Sequence, residues 1–483
     1  FTGGDGFDTV GFNGNCAVGG AATLRMGAGN DLVYNSATRL GFGAGLLLDG
    51  GTGHDEFVLG GSSGGQVRII GNLNCIAGTG EDTLSIGTTS SIFSATGSVM
   101  MSDAGGNDVM TIAGTRFSAG ALVLQLGSGD NSLTTTVTDL FLVRNLQWQS
   151  TSGADNVFIG GGNLRVGTNV VIALGTGNDT ALVNSSSSIY VGGLVTMTAA
   201  ATVGVNRSLV LESSDVMVTG KVTLTGGAGD GFMRVAGSGS NYLGGGVALS
   251  CGLGQTNLRV SSNGSLICNG ALSLTHGGGS GSLEVFDFGA GDSLINGAVT
   301  MKGGSFLSLN LAGVVTGAVN LATSPAAVNP PIIFAESSGA DGTHFAGSVR
   351  ASVPTLAGQV GTIRFAGAIF EGAATFLGGA GTDTLRLNNI DAEKALTASL
   401  GAGDDRFEFE QTDIAGPSLY HGAVLLQGGA GADVFLIGGD TAARAIDFRK
   451  AVTADGGTGS DTLTVGTQVT FAPGFPLVQK NIP

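Results

Sequence analysis

The sequence predicts an all-β protein, a right-handed parallel β-helix (β-solenoid) of about 19 turns with about 25 residues in each turn. Three observations predict this fold. A motif of glycines followed by an aspartate returns at even intervals, an alternating apolar run follows each copy, and no stretch is amphipathic over enough residues for a helix. A chain of this kind gains turns, rather than separate domains, as it becomes longer.

The even interval is measured from the aspartate of each motif, or from an asparagine in its place. These markers are Asp8, Asp31, Asp55, Asp82, Asp108, Asn131, Asp155, Asp179, Asp383, Asp405, Asp433 and Asp461. Between the two series the motif decays, but short apolar stretches such as SLVL at 208–211 and FMRV at 232–235 keep its rhythm. A fixed period of about 20 to 50 residues is typical of solenoids and repeat arrays.

The strands of one turn follow from the residues around the marker. After it, apolar and polar residues alternate, as in TLTV at 462–465, which predicts a strand with one buried face. A second strand precedes the glycines, as in VVIAL at 170–174, and a third, weaker strand follows in many turns. Stacked at the strand spacing, the turns would form a rod roughly 90 Å long, and crossover chirality predicts the right hand.

The corner between the first two strands explains the motif itself. Glycine adopts positive φ and lets neighbouring backbones stack closely, and Asp or Asn tolerates tight turns. Variation of the corner along the chain predicts five segments: N-terminal turns with glycine-aspartate corners at 1–200, central turns with decayed corners at 201–323, an irregular proline-containing turn or loop at 324–366, C-terminal turns with glycine-aspartate corners at 367–466, and a tail or cap at 467–483.

Composition excludes several classes of protein. Glycine accounts for 89 of 483 residues, but the few prolines and the lack of a G-X-Y period exclude collagen, and 42% hydrophobic residues exclude a disordered linker. The net charge of −16 without a basic stripe predicts no nucleic-acid binding and poor binding to anionic membranes. No apolar run reaches about 18 residues, which predicts no membrane insertion.

The four cysteines, Cys16, Cys75, Cys251 and Cys268, follow no spacing typical of a metal site. Two interpretations stay open: buried free thiols that pack as small apolar side chains, or a disulfide between Cys251 and Cys268.

The corner motif resembles the nonapeptide of the RTX calcium-binding β-rolls. The resemblance is carried by GGTGHDEFVL at 50–59, GAGTDTLRL at 379–387, GGAGADVFL at 428–436 and GGTGSDTLT at 456–464. RTX arrays repeat this motif every nine residues in tandem, whereas here it occurs once per turn. The resemblance implies calcium held between corners of adjacent turns, in a secreted bacterial repeat protein.

The aspartates therefore have two interpretations. Stacked like charges repel, and calcium takes carboxylate and carbonyl oxygens, which makes calcium the candidate cofactor. The candidate metal ligands are Asp31, Asp55, Asp82, Asp108, Asp155, Asp179, Asp383, Asp405, Asp433 and Asp461. We expect the ions at Asp31–Asp108 and at Asp383–Asp461, with the turns at about 207–361 empty. The alternative is that each aspartate caps its turn through backbone N–H groups, which Asn131 favours because its amide is neutral.

No constellation typical of an enzyme emerges, and no catalytic residue is predicted. The four histidines, His54, His276, His344 and His421, are expected at turns or loops without triad or zinc spacing. Glu408 and Glu410 have the spacing of two outward carboxylates on one strand, an arrangement that resembles a catalytic dyad but is more typical of a solvated face. A salt bridge to Arg386 of the preceding turn is expected.

The sequence therefore predicts a non-enzymatic, extracellular structural protein: part of a cell-surface fibre, filament, surface layer or adhesin stalk, stabilised by calcium if the corners bind it. Expected partners are further copies joined end to end, or other surface proteins. An alternative is an adhesin-type module whose β faces bind glycan or a host surface, for which an outward aromatic strip would be needed and Trp148 is the only tryptophan. A β-helix carbohydrate-active enzyme is the third hypothesis.

Overall fold

The computed structural model of the chain describes residues 1–61, 64–200, 207–287, 293–324, 330–337, 342–411 and 416–483. It is an all-β parallel solenoid of about 18 turns spaced about 25 residues apart, with 1% helix, which confirms the predicted fold class. The chain divides into two compact units, Phe1–Gly245 and Gly246–Pro483. Within the described residues, no helix is both long and apolar enough to cross a membrane.

The first unit consists of short strands joined by tight corners. In chain order the strands are β1 (Thr9–Phe12), β2 (Cys16–Val18), β3 (Ala22–Ala28), β4 (Leu32–Asn35), β5 (Arg39–Phe42), β6 (Leu46–Thr52), β7 (Glu56–Val58), β8 (Gln66–Ile69), β9 (Leu73–Thr79), β10 (Thr83–Ile86), β11 (Ile92–Ala95), β12 (Ser98–Gly105), β13 (Val109–Ala119), β14 (Ala121–Gln125), β15 (Ser132–Leu142), β16 (Leu146–Gln149), β17 (Asn156–Val166), β18 (Val170–Leu174), β19 (Asp179–Val191), β20 (Val195–Ala199), β21 (Arg207–Ser213), β22 (Asp215–Val218), β23 (Val222–Thr225), β24 (Gly231–Gly237) and β25 (Asn241–Leu243).

The second unit repeats this construction and adds one 3-10 turn at Ala442–Arg444. Its strands are β26 (Val247–Cys251), β27 (Thr256–Ser262), β28 (Leu266–Cys268), β29 (Leu272–His276), β30 (Ser280–Asp287), β31 (Ser293–Ile295), β32 (Val299–Lys302), β33 (Phe306–Leu311), β34 (Gly313–Val315), β35 (Val319–Ala322), β36 (Ile332–Ser337), β37 (Thr343–Phe345), β38 (Val349–Ser352), β39 (Val360–Phe370), β40 (Ala374–Leu377), β41 (Thr382–Ala392), β42 (Leu396–Ala402), β43 (Arg406–Phe409), β44 (Ser418–Tyr420), β45 (Val424–Ala430), β46 (Val434–Ile437), β47 (Ile446–Phe448), β48 (Val452–Thr458), β49 (Thr462–Val465), β50 (Val469–Phe471) and β51 (Leu477–Lys480).

Each turn has three faces, and the turn of β6, β7 and β8 is representative. The first face (β6) pairs in parallel with β3 and β9, the second (β7) with β4 and β10, and the third (β8) with β5 and β11. In some turns the second and third faces join into one long strand, as in β15 and β17. The glycine-aspartate corner lies between the first and second faces, so the register of the strands places one corner directly against the next.

The core is a column of side chains inside the turns. Alternate residues point inward, as in β6, where Leu46 and Leu48 are buried and Leu47 is half-buried. Aromatic rings of successive turns stack on one another; the centroids of Phe407 and Phe435 lie 4.6 Å apart with nearly parallel planes. Trp148 is fully buried in this column. Burial of apolar area stabilises each turn against its neighbours.

Two regions singled out by the sequence take part in the same pairing. In the proline-containing region, β36, β37 and β38 pair in parallel with strands of the turn before and the turn after. Part of that region, at 325–329 and 338–341, lies outside the described residues. Near the C-terminal end of the chain, β51 pairs in parallel with β48.

The glycines of the corner are required by two kinds of geometry. Gly51 has φ +103°, and a Cβ on it would lie 1.8 Å from the carbonyl oxygen of Gly27 in the preceding turn. Gly429 has φ +114°, with the same atom 1.7 Å from the carbonyl oxygen of Gly401. Any other residue would combine left-handed strain with a backbone clash. The even spacing of the motif therefore reflects one stacked corner.

Candidate functional site: the aspartate ladders

The aspartates of the corner motif are buried rather than solvated. Each of the ten predicted metal ligands is at most 2% exposed. Each follows the corner glycines at the point where the second face begins, so the backbone directs its side chain between two successive turns. Side chains with this placement form two ladders, one in each unit.

In the first unit, the ladder is a chain of backbone-to-carboxylate hydrogen bonds. The N–H of Asp31 donates to Oδ1 of Asp55 at 2.9 Å, and the N–H of Asp55 donates to Oδ1 of Asp82 at 2.7 Å. The same bond joins each remaining pair; the pairs are Asp8–Asp31, Asp82–Asp108, Asp108–Asn131, Asn131–Asp155 and Asp155–Asp179. Through its Oδ1, each of these side chains therefore caps the preceding turn.

The ladder of the second unit has the same geometry. The N–H of Asp383 donates to Oδ1 of Asp405 at 2.7 Å, and the N–H groups of Asp405 and Asp433 donate at 2.9 Å to Oδ1 of Asp433 and Asp461. Backbone N–H groups at a tight corner lack a partner within their own strand, so this bond satisfies a donor that burial would otherwise leave unpaired.

The hydrogen-bond partner of the second carboxylate oxygen, Oδ2, differs from turn to turn. Oδ2 of Asp8 accepts from the N–H of Gly4, Oδ2 of Asp383 accepts from Gly379 and Thr355, and Oδ2 of Asp155 accepts from the hydroxyl of Ser150. The Oδ2 atoms that are buried without a hydrogen-bond partner belong to Asp31, Asp55, Asp82, Asp108, Asp179, Asp405, Asp433 and Asp461. A buried carboxylate oxygen without a partner is costly in its ionised form.

The position five residues before the aspartate lies against this second oxygen. A Cβ on Gly50 would lie 2.3 Å from Oδ2 of Asp55, and a Cβ on Gly428 would lie 2.0 Å from Oδ2 of Asp433. The first glycine of the GGxGxD motif therefore makes room for the carboxylate of its own corner.

Asn131 shows how an uncharged side chain fills the same position. Its Oδ1 accepts from the N–H of Asp108 at 3.1 Å, and its Nδ2 donates to the carbonyl oxygen of Gly129 at 3.0 Å. Nδ2 of Asn131 takes the place that Oδ2 has in an aspartate, and because it carries hydrogen it can donate to this carbonyl oxygen. A protonated aspartate is the closest carboxyl equivalent of this amide.

Burial perturbs the ionisation of the ladder. It raises the pKa of the carboxyl group to about 6 in Asp55, Asp179, Asp383 and Asp433, and to about 8 in Asp108 and Asp405. Burial also raises the pKa of Asp82 and Asp155. The ladder hydrogen bond from a backbone N–H opposes the rise, as at Asp405, but the desolvation of the charge is the larger effect.

An exposed second ladder runs along the outside of the corner, one residue before the aspartates. Oδ1 of Asn107 accepts from the N–H of Asp130 at 2.8 Å, and Oδ1 of Asp130 accepts from the N–H of Ala154 at 2.7 Å. The N–H of His54 donates in the same way to Oδ1 of Asn30 at 2.9 Å. This ladder was not predicted from the sequence, although Asn or Asp directly before the marker is its visible signal.

Two groups of three potential metal ligands occur among the described residues, each with one ligand atom per residue and all within 4.8 Å. One is Asp82, Asp103 and Asp108. The other, Asp391, Glu393 and His421, lies at the surface of the second unit. Of the predicted metal ligands, only Asp82 and Asp108 belong to such a group, and Asp103 was not singled out from the sequence.

The expectation that Glu408 and Glu410 form a solvated face is wrong. They are 8% and 0% exposed, so they do not form a solvated face. Glu408 pairs with Arg386 at 2.5 Å, as expected, and also with Arg406. Glu410 turns inward at φ 53° and accepts from Ser418, and burial raises its pKa to about 7.

The remaining candidates match expectation only in part. His276 and His344 lie on strands rather than in loops, and His276 is buried. All four cysteines are free thiols, and three of them are buried, which agrees with the free-thiol interpretation. Burial of Trp148 removes it as an exposed sugar platform.

One shallow depression of about 460 Å³ lies on the first unit. None of its lining residues is titratable. They are Thr135, Thr136, Val137, Thr138, Phe158, Gly160, Gly161, Gly162, Asn184 and Ser186. Acid–base chemistry needs a titratable group within hydrogen-bond reach of the reacting atom, and this lining supplies none.

Comparisons with known proteins identify no relative of this chain. No protein-family model, no curated protein and no solved structure matches the chain.

Proposed function

We propose that the chain is a structural module of an extracellular protein: the β-solenoid of a surface fibre, surface layer or adhesin stalk. The observation that carries this proposal is the continuity of the corner ladders. Seven consecutive ladder bonds join Asp8 to Asp179, and three join Asp383 to Asp461. These carboxylates are occupied in joining turn to turn.

The distribution of charge supports the same proposal. Charged residues are 12% of the chain, and many acidic groups lie inside the corners, where they bond backbone instead of facing solvent. Such a surface suits close lateral packing with copies of itself or with other surface proteins. Richness in glycine and scarcity of lysine are shared with secreted bacterial solenoids, and this likeness supports the extracellular location.

The test is the hydrodynamic and microscopic behaviour of the purified protein. We expect negative-stain images to show uniform elongated particles, and light scattering to show self-association that grows with concentration. Incubation with a panel of acidic and neutral polysaccharides should release no new reducing or unsaturated ends. Compact particles, or turnover of any polysaccharide, would contradict the structural role.

A second candidate function, glycan binding, is favoured by an outward strip on the third face of the first unit. The strip is Phe141, Arg165, Tyr190, Met217 and Tyr242, which strand register places on successive turns. The guanidinium of Arg165 lies 5.8 Å from the ring centroid of Phe141 and 5.1 Å from that of Tyr190. Aromatic faces with a polar neighbour are suited to sugar rings.

This candidate is tested by a glycan array with matched variants. Tyr190→Ala removes a ring from the centre of the strip and should weaken any captured glycan at least about ten-fold. Phe232→Ala removes an exposed aromatic of the same unit that lies off the strip, and should leave binding unchanged. An array without any binder would exclude this function while leaving the structural one intact.

A further inference from the structure

We propose that Asp82, Asp103 and Asp108 form a binding site for one hard divalent cation, with Ca²⁺ as the best fit. The site is specific to one corner of the first unit and does not extend along the ladders. It goes beyond the structural role proposed above and does not depend on that role.

The free oxygens at this corner are the first argument. Oδ1 of Asp82 and Oδ2 of Asp103 accept from the N–H groups of Asp55 and Gly105, and Oδ1 of Asp108 accepts from the N–H of Asp82. The other oxygen of each of the three carboxylates is buried and accepts no hydrogen bond from a backbone or hydroxyl donor; Asp103 and Asp108 lie close enough to share a proton when one of them is neutral. Asp82 and Asp108 are both 0% exposed, so water does not replace the missing partner.

The spacing of the three carboxylates fits a single ion. Their ligand oxygens all lie within 4.8 Å of one another. Oxygens that share one Ca²⁺ at about 2.3–2.6 Å are separated by at most about 5 Å, so one ion reaches all three. Asp103 is half-buried, which leaves access for the water molecules that would complete about 6 to 8 ligands.

The sequence explains why the site occurs at this corner. Asp103 takes the position five residues before the ladder aspartate, where the neighbouring turns have the buried apolar residues Ala77 and Leu126. The first-face strand shifts register on both sides of Asp103, which is a bulge of the kind often found at functional positions. At no other ladder corner is this position acidic.

Among the described residues, the local charge has no arginine or lysine counter-ion, and His54 is the cationic side chain that acts on Asp82. Among ion pairs between described residues, none joins Asp82, Asp103 or Asp108 to an arginine or lysine. Three carboxylates this close repel one another unless they take up protons or a cation. An all-oxygen ligand set selects a hard ion such as Ca²⁺ over zinc or copper.

The test is calorimetric titration of CaCl₂ into chelator-treated protein at pH 7.5. We expect one Ca²⁺ per chain, and a thermal unfolding midpoint that rises with Ca²⁺. Asp103→Ala should weaken binding at least about ten-fold and abolish the calcium-dependent shift of the midpoint. The variant should fold, because Ala77 stands five residues before Asp82 just as Asp103 stands five residues before Asp108, and circular dichroism checks this.

Asp5→Ala is the control, since Asp5 is an exposed acidic residue of the same unit outside the group; it should bind Ca²⁺ like the wild type. Absence of binding and of a thermal shift in the wild type would overturn the proposal. So would binding that Asp103→Ala leaves unchanged, or several equivalent sites that survive in this variant, since these would place the ions along the ladder.

Discussion

Within the first unit, the turns from Asp31 to Asp179 differ from the two turns that follow. Strand register places Arg207 and then Gly231 in the position that aspartate holds in the earlier turns. The strands of these later turns still pair in parallel and keep buried apolar residues such as Leu209 and Met233. The solenoid therefore does not require the aspartate; strand pairing and the apolar column are sufficient.

The ladder changes how the N–H group at the corner is satisfied. An aspartate turn satisfies its corner N–H with a side chain, but it buries an ionisable group to do so. A turn without aspartate buries no carboxyl group at this position and so lacks the dependence on pH and cations that a carboxyl group brings. The same contrast occurs in the second unit, where Gly361 holds the position beside Asp383 in the preceding turn. A loss of stability with rising pH should accordingly be a property of the ladder turns.

The largest expected effect is a loss of stability as pH rises. The pKa values of Asp55 and Asp433 are raised to about 6, and that of Asp405 to about 8, above the ordinary value of 3.8. At pH values between 3.8 and these raised pKa values, the folded state therefore binds more protons than the unfolded state. The stabilisation is complete below about pH 4 and is lost as pH rises through 6 to 8.

Each pKa unit corresponds to about 1.4 kcal/mol, so the ladders together should change the free energy of unfolding by several kcal/mol. Thermal unfolding between pH 4 and 9, in the presence of chelator, measures this change. A midpoint that is constant, or that rises over this range, would show that the aspartates are ionised and otherwise compensated.

The next largest effect is expected at a corner glycine. Gly51→Ala introduces a Cβ 1.8 Å from the Gly27 carbonyl at φ +103° and should destabilise the first unit by about 3 kcal/mol or more. Gly41→Ala is the matched control, because a Cβ there meets nothing within 4 Å. Chemical denaturation of both variants measures the difference. Equal stability would mean that neighbouring corners separate easily.

How far the sequence predicted these features depends on the kind of information each requires. The interval between markers such as Asp31 and Asp55 encodes the parallel stacking, and Asn131 showed that an amide substitutes for the carboxylate. The donor to each Oδ1 was not predictable, because it belongs to the preceding turn and depends on three-dimensional register. The sequence signal for Asp103 is only that it is acidic where the equivalent positions of the adjacent turns, Ala77 and Leu126, are apolar.

The error at Glu410 has a physical reason as well. Alternation assigns residues to opposite faces only while the backbone stays extended, and Glu410 has φ 53°. Its side chain therefore turns inward. Glu408 does lie on the outward side of β43, but Arg386 and Arg406 cover it, and alternation carries no information about neighbours from another turn.

A smaller effect is expected when a single ladder carboxyl group is replaced by an amide. Asp405→Asn should stabilise the second unit by about 1–3 kcal/mol at pH 8, since it replaces a buried carboxyl by the amide that Asn131 already provides in the first unit. At pH 4 the variant and the wild type should be nearly equal. The reciprocal Asn131→Asp should destabilise the first unit at pH 8 and not at pH 4. A pH-independent difference would contradict the neutral ladder.

The smallest effect is expected on the outer ladder. Asn107→Ala removes the Oδ1 that accepts from the N–H of Asp130, in a corner where Asn107 itself is exposed. Water replaces the lost acceptor, so the cost should be at most about 1 kcal/mol and independent of pH. Urea denaturation at pH 4 and pH 8 measures it. A loss comparable to that of Gly51→Ala would show that the exposed ladder, and not the buried one, holds the corners together.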